Sequence, residues 1–403
     1  MRDYRRNGNV KRDMEMSESF RESSAQSDTQ SKSQNKSKIF KPPVHFADLS
    51  AEERTEKVVS MKLPKFRAKQ IATHYYRHLS VEPESFTDFP AGARSRISDE
   101  FFPELITPEA VRKADGGTTV KTLWKLRDGS LVESVLMRYP QRATLCVSSQ
   151  VGCAMACPFC ATGKLGLSRN MSAGEILEQV RIAARQMRDG FIAGGEGRLS
   201  NIVFMGMGEP MSNYRNVLSA IRQISALPDE GFGISARNIT VSTVGIVPGI
   251  RKLAAEHIPV RLAVSLHAPD DKLRDELVPM NKHFNISQVL NAAHDYYLSS
   301  GRRVSIEYAL MKNINDSAKQ AKLLAKRLNH YGDDWVHVNP IPLNPVEGSK
   351  WTASKPEDEQ AFIDILHRAG IAATMRDTRG SDIDGACGQL AAKNKPESRE
   401  EEK

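Results

Sequence analysis

The sequence predicts an α/β protein whose main domain is an open, partial (β/α)6 barrel. Between residue 153 and about residue 378, strand-like runs alternate with helical segments, which is typical of a parallel sheet with crossover helices. Six such units are present, too few to close an eight-stranded barrel. The chain of 403 residues is long enough to bury a large core and to carry a further segment beside it.

Residues 1–43 form a polar N-terminal extension. They are rich in Ser, Gln, Lys and Asn and contain only three aromatic residues, Tyr4, Phe20 and Phe40. Such a segment cannot bury enough apolar surface to offset its conformational entropy, so we predict that it is disordered. It holds ten Lys and Arg against six Asp and Glu, which accounts for half of the net charge of +8. That excess is compatible with a polyanionic partner but does not demonstrate one.

Residues 44–117 predict a small helical module. A polar helix start lies at Asp48, and apolar residues recur at helical spacing between residues 63 and 78. Basic side chains and two tyrosines fall on or near this second helix, namely Lys65, Arg67, Lys69, Arg77, His78, Tyr75 and Tyr76. They suit phosphate contacts and base stacking, but a solvated basic face explains them equally well.

Residues 118–150 predict β-strands that link the helical module to the barrel. Residues 118–126 alternate in polarity, Asp128-Gly129 is a tight-turn pair, and residues 131–137 continue as a strand. A third run, residues 143–148, leads directly into a cysteine-rich loop. Glu133 lies in the second strand, where a carboxylate usually faces solvent, so the strand pattern alone gives it no special role.

Residues 151–380 predict the barrel, and residues 381–403 a C-terminal segment with a polar tail. The strand-like runs are 202–205, 239–242, 260–266, 304–310, 336–341 and 372–376. Helical segments between them include residues 173–188, 214–225, 287–299 and 317–329. In barrels of this kind the chemistry gathers at the carboxyl ends of the strands, so polar residues at those ends are the candidates for a site.

Three thiols within eight residues predict an iron–sulfur cluster. Cys153, Cys157 and Cys160 have C-x3-C-x2-C spacing. Four thiolates would complete a [4Fe–4S] cluster, whereas three leave one iron free to chelate the amino and carboxylate groups of S-adenosylmethionine. The alternative is a zinc site, but zinc usually takes four ligands from paired cysteines, and no second pair follows.

The other sequence features favour the cytoplasm. Five cysteines without paired spacing are not the disulfide framework of a secreted protein. The N-terminus lacks the apolar region of a signal peptide, and no apolar run approaches ~18 residues.

Polar residues follow several predicted strands. Gly208 and Glu209 come after the first run of the barrel, and a carboxylate there can accept from the methionyl amine. Ser242, Ser265 and His267 follow the next two runs and can bond a ribose or a carboxylate, while Asn344 in a proline-rich loop suits an adenine edge. Each alone is also a plausible turn or structural residue; their recurrence at successive strand ends favours a ligand site.

Cys387 lies among small and polar residues near the C-terminus, with Arg376 and Arg379 close in sequence. Reactive cysteines occur in accessible, electropositive settings. A buried free cysteine that packs as a small hydrophobe is the alternative.

These motifs together resemble one known family. Residues 142–153, the cysteine loop, residues 206–210, 265–269, 344–345 and 378–391 resemble the RlmN family of radical S-adenosylmethionine enzymes, which methylate C2 of adenosine in 23S rRNA and tRNA. The resemblance covers about residues 44–393 and excludes the N-terminal extension. It implies a radical S-adenosylmethionine barrel and an RNA-contacting accessory domain formed by the helical module. We expect a monomer, since RNA rather than a second subunit can cover the open face of the barrel.

The resemblance also implies roles for individual residues. Cys153, Cys157 and Cys160 would ligate the [4Fe–4S] cluster, and S-adenosylmethionine would contact Gly208, Glu209, Ser242, Ser265, Leu266, His267 and Asn344. Cys387 would carry the methyl group, Cys146 would form a transient disulfide with it, and Glu133 would accept a proton. Each turnover would use two molecules of S-adenosylmethionine, an external one-electron reductant and a thiol reductant.

Related Cfr-type enzymes methylate adenosine C8 and normally have a cysteine where this chain has Val151. The sequence therefore favours C2 over C8. Adenine C2 is an electron-poor carbon that does not attack an electrophilic methyl group, which is why a radical route is needed. Two other classes remain as alternatives, a radical enzyme of the same fold with a non-RNA substrate and a zinc-bearing RNA-binding protein.

Overall fold

A computed structural model describes residues 40–392, and a large β-sheet dominates it. The described strands are β1 (Ile106–Ala114), β2 (Thr119–Leu126), β3 (Leu131–Tyr139), β4 (Arg142–Cys146), β5 (Gln150–Cys153), β6 (Gly166–Asn170), β7 (Asn201–Phe204), β8 (Ile239–Thr243), β9 (Arg261–Ser265), β10 (Val304–Leu310) and β11 (Val336–Pro342). Nine of them form one sheet in the order β1-β2-β3-β4-β7-β8-β9-β10-β11, and β5 pairs with β6. The predicted extension, residues 1–43, lies almost wholly outside the described residues, as does the polar tail after residue 392.

The strands from β4 to β11 within the large sheet run parallel and form the partial barrel. Their number is six, as predicted, but their identity differs at both ends. The first parallel strand is β4, which the sequence pattern assigned to the linker. The predicted last strand, residues 372–376, makes only an isolated bridge between Ala373 and Val338.

Two prolines in β11 explain the missing last strand. Val338 exchanges hydrogen bonds with Ala372 and Thr374, and Arg376 donates to the carbonyl of Pro340. Pro340 and Pro342 have no N–H to donate back, so the ladder cannot continue beyond these contacts.

The helices cover the sheet and largely match the predicted ones. They are α1 (Ala51–Ser60), α2 (Arg67–Thr73), α3 (Ala91–Phe101), α4 (Ala161–Lys164), α5 (Ala173–Arg188), α6 (Tyr214–Ser225), α7 (Val247–Ala255), α8 (Asp271–Leu277), α9 (Ile286–Ser300), α10 (Ala318–Asn329) and α11 (Pro356–Arg368). Helices α5 and α6 have the predicted bounds, α9 is longer than predicted by one residue at each end, and α10 begins one residue later than predicted. Ser172 and Glu175 form a capping box that starts α5. None of the described helices is long and apolar enough to cross a membrane.

The N-terminal part differs from the prediction in two respects. Residues 106–114, which the prediction placed in the helical module, form β1, and this strand pairs antiparallel with β2. Tyr75 and Tyr76, predicted to be available for base stacking, are 0% and 3% exposed. Both rings pack into the apolar core. Tyr76 also donates its hydroxyl hydrogen to Gln223 at 2.5 Å. They cannot stack bases in this arrangement.

A hairpin that the sequence pattern did not predict carries the cysteine loop. Strands β5 and β6 pair antiparallel on either side of it. At Gly152, with φ of 75°, a Cβ atom would lie 1.9 Å from the carbonyl oxygen of Gly166, so only glycine allows the two strands to approach this closely. One apolar core extends from Phe46 to Leu390 and joins the helical segment, the antiparallel strands and the barrel.

Candidate active site

A pocket at the carboxyl ends of the parallel strands contains most of the predicted site residues. Cys153 ends β5, and Cys160 immediately precedes α4. The pocket is lined by Cys153, Cys157, Cys160, Gly208, Glu209, Ser242, Ser265, His267, Asn344 and Cys387, among others. We call it the carboxyl-end pocket. The fold thus places the cysteine loop beside polar groups from four different strand ends.

The three thiols suit an iron–sulfur cluster in their chemistry. Burial raises the pKa of Cys153 to about 12 and also raises the pKa values of Cys157 and Cys160. A bound metal would therefore be needed to keep them as thiolates. Within residues 40–392 no three His, Cys, Asp or Glu side chains converge closely enough to hold a single metal ion. Thiols that share a pocket wall without meeting at one point fit a cluster, whose irons each take one thiolate.

Glu209 is buried at the base of this pocket with both carboxylate oxygens bound to the protein. Oε1 accepts the N–H of Met211 at 3.0 Å, and Oε2 accepts the N–H of Val244 at 2.9 Å. Burial raises the pKa of Glu209 to about 7 despite these bonds. Gly208 has φ of 103°, and a Cβ there would lie 2.5 Å from the side chain of Gln150, so the backbone can pass this point only as glycine.

His267 is a neutral imidazole that can donate a hydrogen bond, and a backbone N–H determines which ring nitrogen carries the proton. Burial, with a smaller effect from Arg274, lowers its pKa to about 3. Nδ1 accepts the N–H of Ala309 at 3.0 Å, so the proton of the neutral ring sits on Nε2. The ring of Phe159, from the cysteine loop, contacts His267 edge-on at 5.0 Å between centroids. Ser242 and Ser265 lie next to each other, with 3.4 Å between their hydroxyl oxygens.

Two of the predicted cofactor contacts are used within the protein. The side chain of Leu266 is fully buried and does not line the pocket. Its backbone N–H donates to Glu307, and its carbonyl accepts from Arg274 at 3.1 Å. Asn344 lines the pocket, but its amide donates to the carbonyl of Cys387 at 3.0 Å. That bond ties the loop after β11 to the C-terminal segment.

Cys146 and Cys387 face a second cavity that adjoins the first. We call it the thiol cavity; it is lined by Tyr139, Cys146, Cys160, Met205, Arg376, Arg379 and Cys387, among others. Burial, with a contribution from Cys387, raises the pKa of Cys146 to about 12. Attraction to Cys387 raises the pKa of Arg376, so its guanidinium remains a cation between the two sulfurs and Glu307. All five cysteines are free thiols, with no disulfide among them.

Glu133 does not share a cavity with Cys387. It is 1% exposed and lines a separate cavity with Lys121, Lys164, Asp384 and others. Its carboxylate contacts Lys121 and the backbone after Cys387 rather than the thiols. The strand pattern suggested a solvent-facing side chain, and the structure shows a buried one.

Two buried charges at the site escaped the sequence analysis. Arg274 is 0% exposed and donates to the carbonyls of Val244, Ser265 and Leu266, so it fixes the loops after β8 and β9. Glu307, buried in β10, pairs with Arg376 at 3.1 Å. A carboxylate inside the otherwise apolar run of β10 was a signal that could have identified Glu307. No local pattern marks Arg274.

Comparison with known proteins decides the family. Residues 147–325 match the Radical SAM superfamily. A protein of Bifidobacterium adolescentis, described as a probable dual-specificity RNA methyltransferase RlmN, is 76% identical over 355 residues, which is 88% of this chain and 92% of that protein. The chain belongs to the RlmN family.

A second relative has the same description, and a solved structure supports the enzyme class. A protein of Nocardioides sp. with the same description is 58% identical over 353 residues, 87% of this chain and 94% of its own length. A radical SAM methyltransferase from Sphaerobacter thermophilus, known from a crystal structure, has a TM-score of 0.82 at 43% identity and covers 87% of this chain and all of its own. The predicted fold class and enzyme class are thereby confirmed. The RlmN-type chain is a radical SAM methyltransferase, and the superfamily implies a [4Fe–4S] cluster and S-adenosylmethionine.

Proposed function

We propose that the enzyme methylates C2 of an adenosine in 23S rRNA and of the adenosine next to the anticodon in certain tRNAs, with Cys387 as the methyl carrier. The observation that carries the proposal is the position of Cys387 and Cys146 in one cavity, adjacent to the pocket of the three-cysteine loop. The relatives are described as dual-specificity RNA methyltransferases, which supports more than one kind of RNA substrate. Both reactions would take place in the cytoplasm.

The carboxyl-end pocket has the groups that both cofactors need. Cys153, Cys157 and Cys160 would hold the cluster. Gly208, Glu209, Ser242, Ser265, His267 and Asn344 would hold S-adenosylmethionine. Leu266, whose side chain is buried and whose backbone groups bond within the protein, would contribute by holding Ser265 and His267 in place. When bound, the two groups supply the methyl group and the one-electron chemistry that removes hydrogen from an unactivated carbon.

Cys387 would take part in the reaction through its sulfur. As a thiolate it accepts a methyl group by displacement from a first S-adenosylmethionine, and a second is consumed in the same turnover. Arg376 stabilises negative charge on this sulfur. One hydrogen atom would then be removed from this methyl group by the one-electron chemistry that the bound cofactors supply, and the resulting carbon radical would add to C2 of the adenine. The carbon then bridges the sulfur of Cys387 and C2, so the protein and the RNA are covalently joined.

Cys146 would release the product. Loss of the C2 proton precedes cleavage of the bond between sulfur and carbon. The thiolate of Cys146 attacks the sulfur of Cys387 and the S–C bond breaks; the carbon keeps the bonding pair and takes up a proton to become the methyl group. The unpaired electron of the adduct would return to the one-electron carrier, which leaves a disulfide between the two cysteines. An external thiol reductant then supplies two electrons and restores both cysteines, while a separate one-electron donor serves the cluster.

The proton acceptor is either Glu133 or Cys146. Glu133 has the carboxylate that this role needs, but its hydrogen bonds to Lys121, Ala391 and Ala392 occupy both oxygens. For Glu133 to act as a base, the C-terminal segment would have to move away from its carboxylate. Cys146 already lies in the cavity of Cys387, which favours it in the described conformation.

The position of methylation is tested by nucleoside analysis. RNA methylated in vitro by the anaerobic holoenzyme is digested and compared with 2-methyladenosine and 8-methyladenosine standards. We expect 2-methyladenosine, because Val151 replaces the cysteine normal in C8-specific enzymes. 8-Methyladenosine would overturn the C2 assignment, and normal methylation by a Cys387→Ala variant would overturn the carrier role.

A further inference from the structure

Four arginines lie near one another at the amino ends of the barrel strands, whereas the cysteine loop lies at the carboxyl ends. Arg142 begins β4, Arg261 begins β9, Arg302 precedes β10, and Arg379 belongs to the C-terminal segment. We call them the arginine rim. The proposed reaction assigns no step to these arginines, and the sequence motifs did not mark the four as a group.

Tyr139 connects the rim to the thiol cavity. It ends β3 opposite Arg142 in the antiparallel register, and it lines the same cavity as Cys146 and Cys387. The guanidinium of Arg142 lies 4.3 Å from the centroid of the tyrosine ring, and that of Arg379 lies 4.8 Å from it. Cation–π contacts at these distances hold the two cations beside the cavity. The thiol cavity thus extends from the cysteines to a ring flanked by positive charge.

The rim contains positive charge that the protein does not neutralise. In the part of the chain that the structure describes, neither Arg142 nor Arg261 forms an ion pair. Partial burial and the neighbouring guanidiniums of Arg302 and Arg142 lower the pKa of Arg261, although the carboxylate of Glu307 acts in the opposite direction. The Nε of Arg302 is buried without a hydrogen-bond partner. Like charges placed this close are a cost to the folded protein, which a bound polyanion would offset.

We propose that the arginine rim binds the RNA phosphates that flank the target adenosine, so that the base passes Tyr139 and reaches Cys387 through the thiol cavity. The inference rests on the proposed function, since it takes an adenosine in RNA as the substrate. A base that reacts with a buried sulfur must leave its stack. The phosphates on either side of such a base then cross the mouth of the cavity, where guanidiniums suit them better than ammonium groups do. The only carboxylate that pairs with a rim arginine among the described residues is Asp377, which contacts Arg379 at 3.2 Å.

The salt dependence of RNA binding tests this proposal. The anaerobic full-length protein is titrated with a fluorescently labelled 23S rRNA fragment that the wild-type enzyme methylates, at several KCl concentrations. The variants are Arg142→Gln, Arg261→Gln and the double variant; Arg215→Gln, an exposed arginine at the start of α6, is the matched control. Each lost phosphate contact should lower the slope of log K against log[salt] by about 0.7, so the double variant should lose about 1.4. Arg215→Gln should keep the wild-type slope.

Variants of Tyr139 test the same proposal independently. Tyr139→Phe keeps the ring that orders Arg142 and Arg379 and should bind RNA as the wild type does. Tyr139→Leu should bind several-fold more weakly. S-methylation of Cys387 without RNA, followed by mass spectrometry of the intact protein, should be the same in the wild type and the arginine variants and shows that these variants fold and bind cofactor.

The outcomes separate the two proposals. If the double variant keeps the wild-type salt slope while the wild-type enzyme methylates the fragment, the arginine rim does not bind the RNA phosphates. The proposed function is then unaffected. A wild-type enzyme that methylates no adenosine and acquires no methyl group on Cys387 overturns the proposed function itself.

Discussion

Lys121 and Glu133 form a buried ion pair that fixes the segment on both sides of Cys387. The Nζ of Lys121 lies 2.8 Å from Oε1 of Glu133 and also donates to the carbonyl of Asp384 at 3.1 Å. The Oε2 of Glu133 accepts the N–H groups of Ala391 and Ala392 at 2.9 and 3.1 Å. One pair on the β2–β3 hairpin therefore positions the loop that contains Cys387.

Replacement of Lys121 with Met should loosen this loop. It leaves Glu133 buried without its cation, which should lower the free energy of unfolding by about 3 kcal/mol. Lys125→Met, an exposed lysine on the same strand, should cost less than about 0.5 kcal/mol. Urea unfolding gives the stability, and hydrogen exchange should show faster exchange of residues 384–392 in the Lys121 variant alone. Equal exchange in both variants would show that the pair does not hold the loop.

The two cysteines of the thiol cavity should have different mutant phenotypes. Cys387→Ala removes the proposed methyl carrier, so it should abolish adenosine methylation. Cys146→Ala removes the sulfur proposed to release the product, so a covalent protein–RNA adduct should accumulate. Denaturing electrophoresis detects the adduct, and nucleoside mass spectrometry measures methylation. Free methylated RNA from the Cys146 variant at the wild-type rate would contradict this assignment.

Loss of one thiol from the cysteine loop should remove the cluster. Anaerobically purified wild-type protein should contain about four irons and four sulfides per chain. Cys157→Ala should contain little of either, whereas Cys146→Ala, which alters a cysteine outside the loop, should match the wild type. Stoichiometric zinc in place of iron and sulfide in the wild-type protein would instead support the zinc alternative.

The ion pair between Asp128 and Arg169 should make stability depend on acid pH. Burial opposes ionisation of Asp128, but the hydrogen bond and charge of Arg169, 2.7 Å away, together with the hydrogen bonds from Ser130, outweigh it and lower the pKa of Asp128 from its usual 3.8. A carboxyl with a lowered folded-state pKa stabilises the protein above its unfolded pKa and loses that effect as the pH falls through the folded value. Wild type should therefore exceed Asp128→Asn in stability at pH 6, and the difference should shrink towards pH 3. Urea unfolding of both proteins over this range measures it, and a constant difference would contradict the ionic contribution.

Much of the barrel could be predicted because its signals are local. Helices α5 and α6 follow from apolar periodicity and from caps such as Ser172, all of which lie within a few residues of one another. The last predicted strand was wrong because β-propensity at Ala373 does not reveal that Pro340, on the neighbouring strand, lacks a donor. Tyr75 and Tyr76 were misjudged for a similar reason, since the helix pattern does not show what packs against each face.

The sequence by itself determined the cysteine loop, since three ligands for one cluster are encoded by their spacing along a short stretch. It also determined the succession of strands and helices, and so the sheet edge at which polar residues gather. Only the tertiary structure decided that Cys146 and Cys387 share a cavity, that Glu133 holds the C-terminal segment, and that four arginines meet beside Tyr139. Contacts between residues distant in sequence depend on how strands register and helices pack, and the periodicity of a single segment does not specify either.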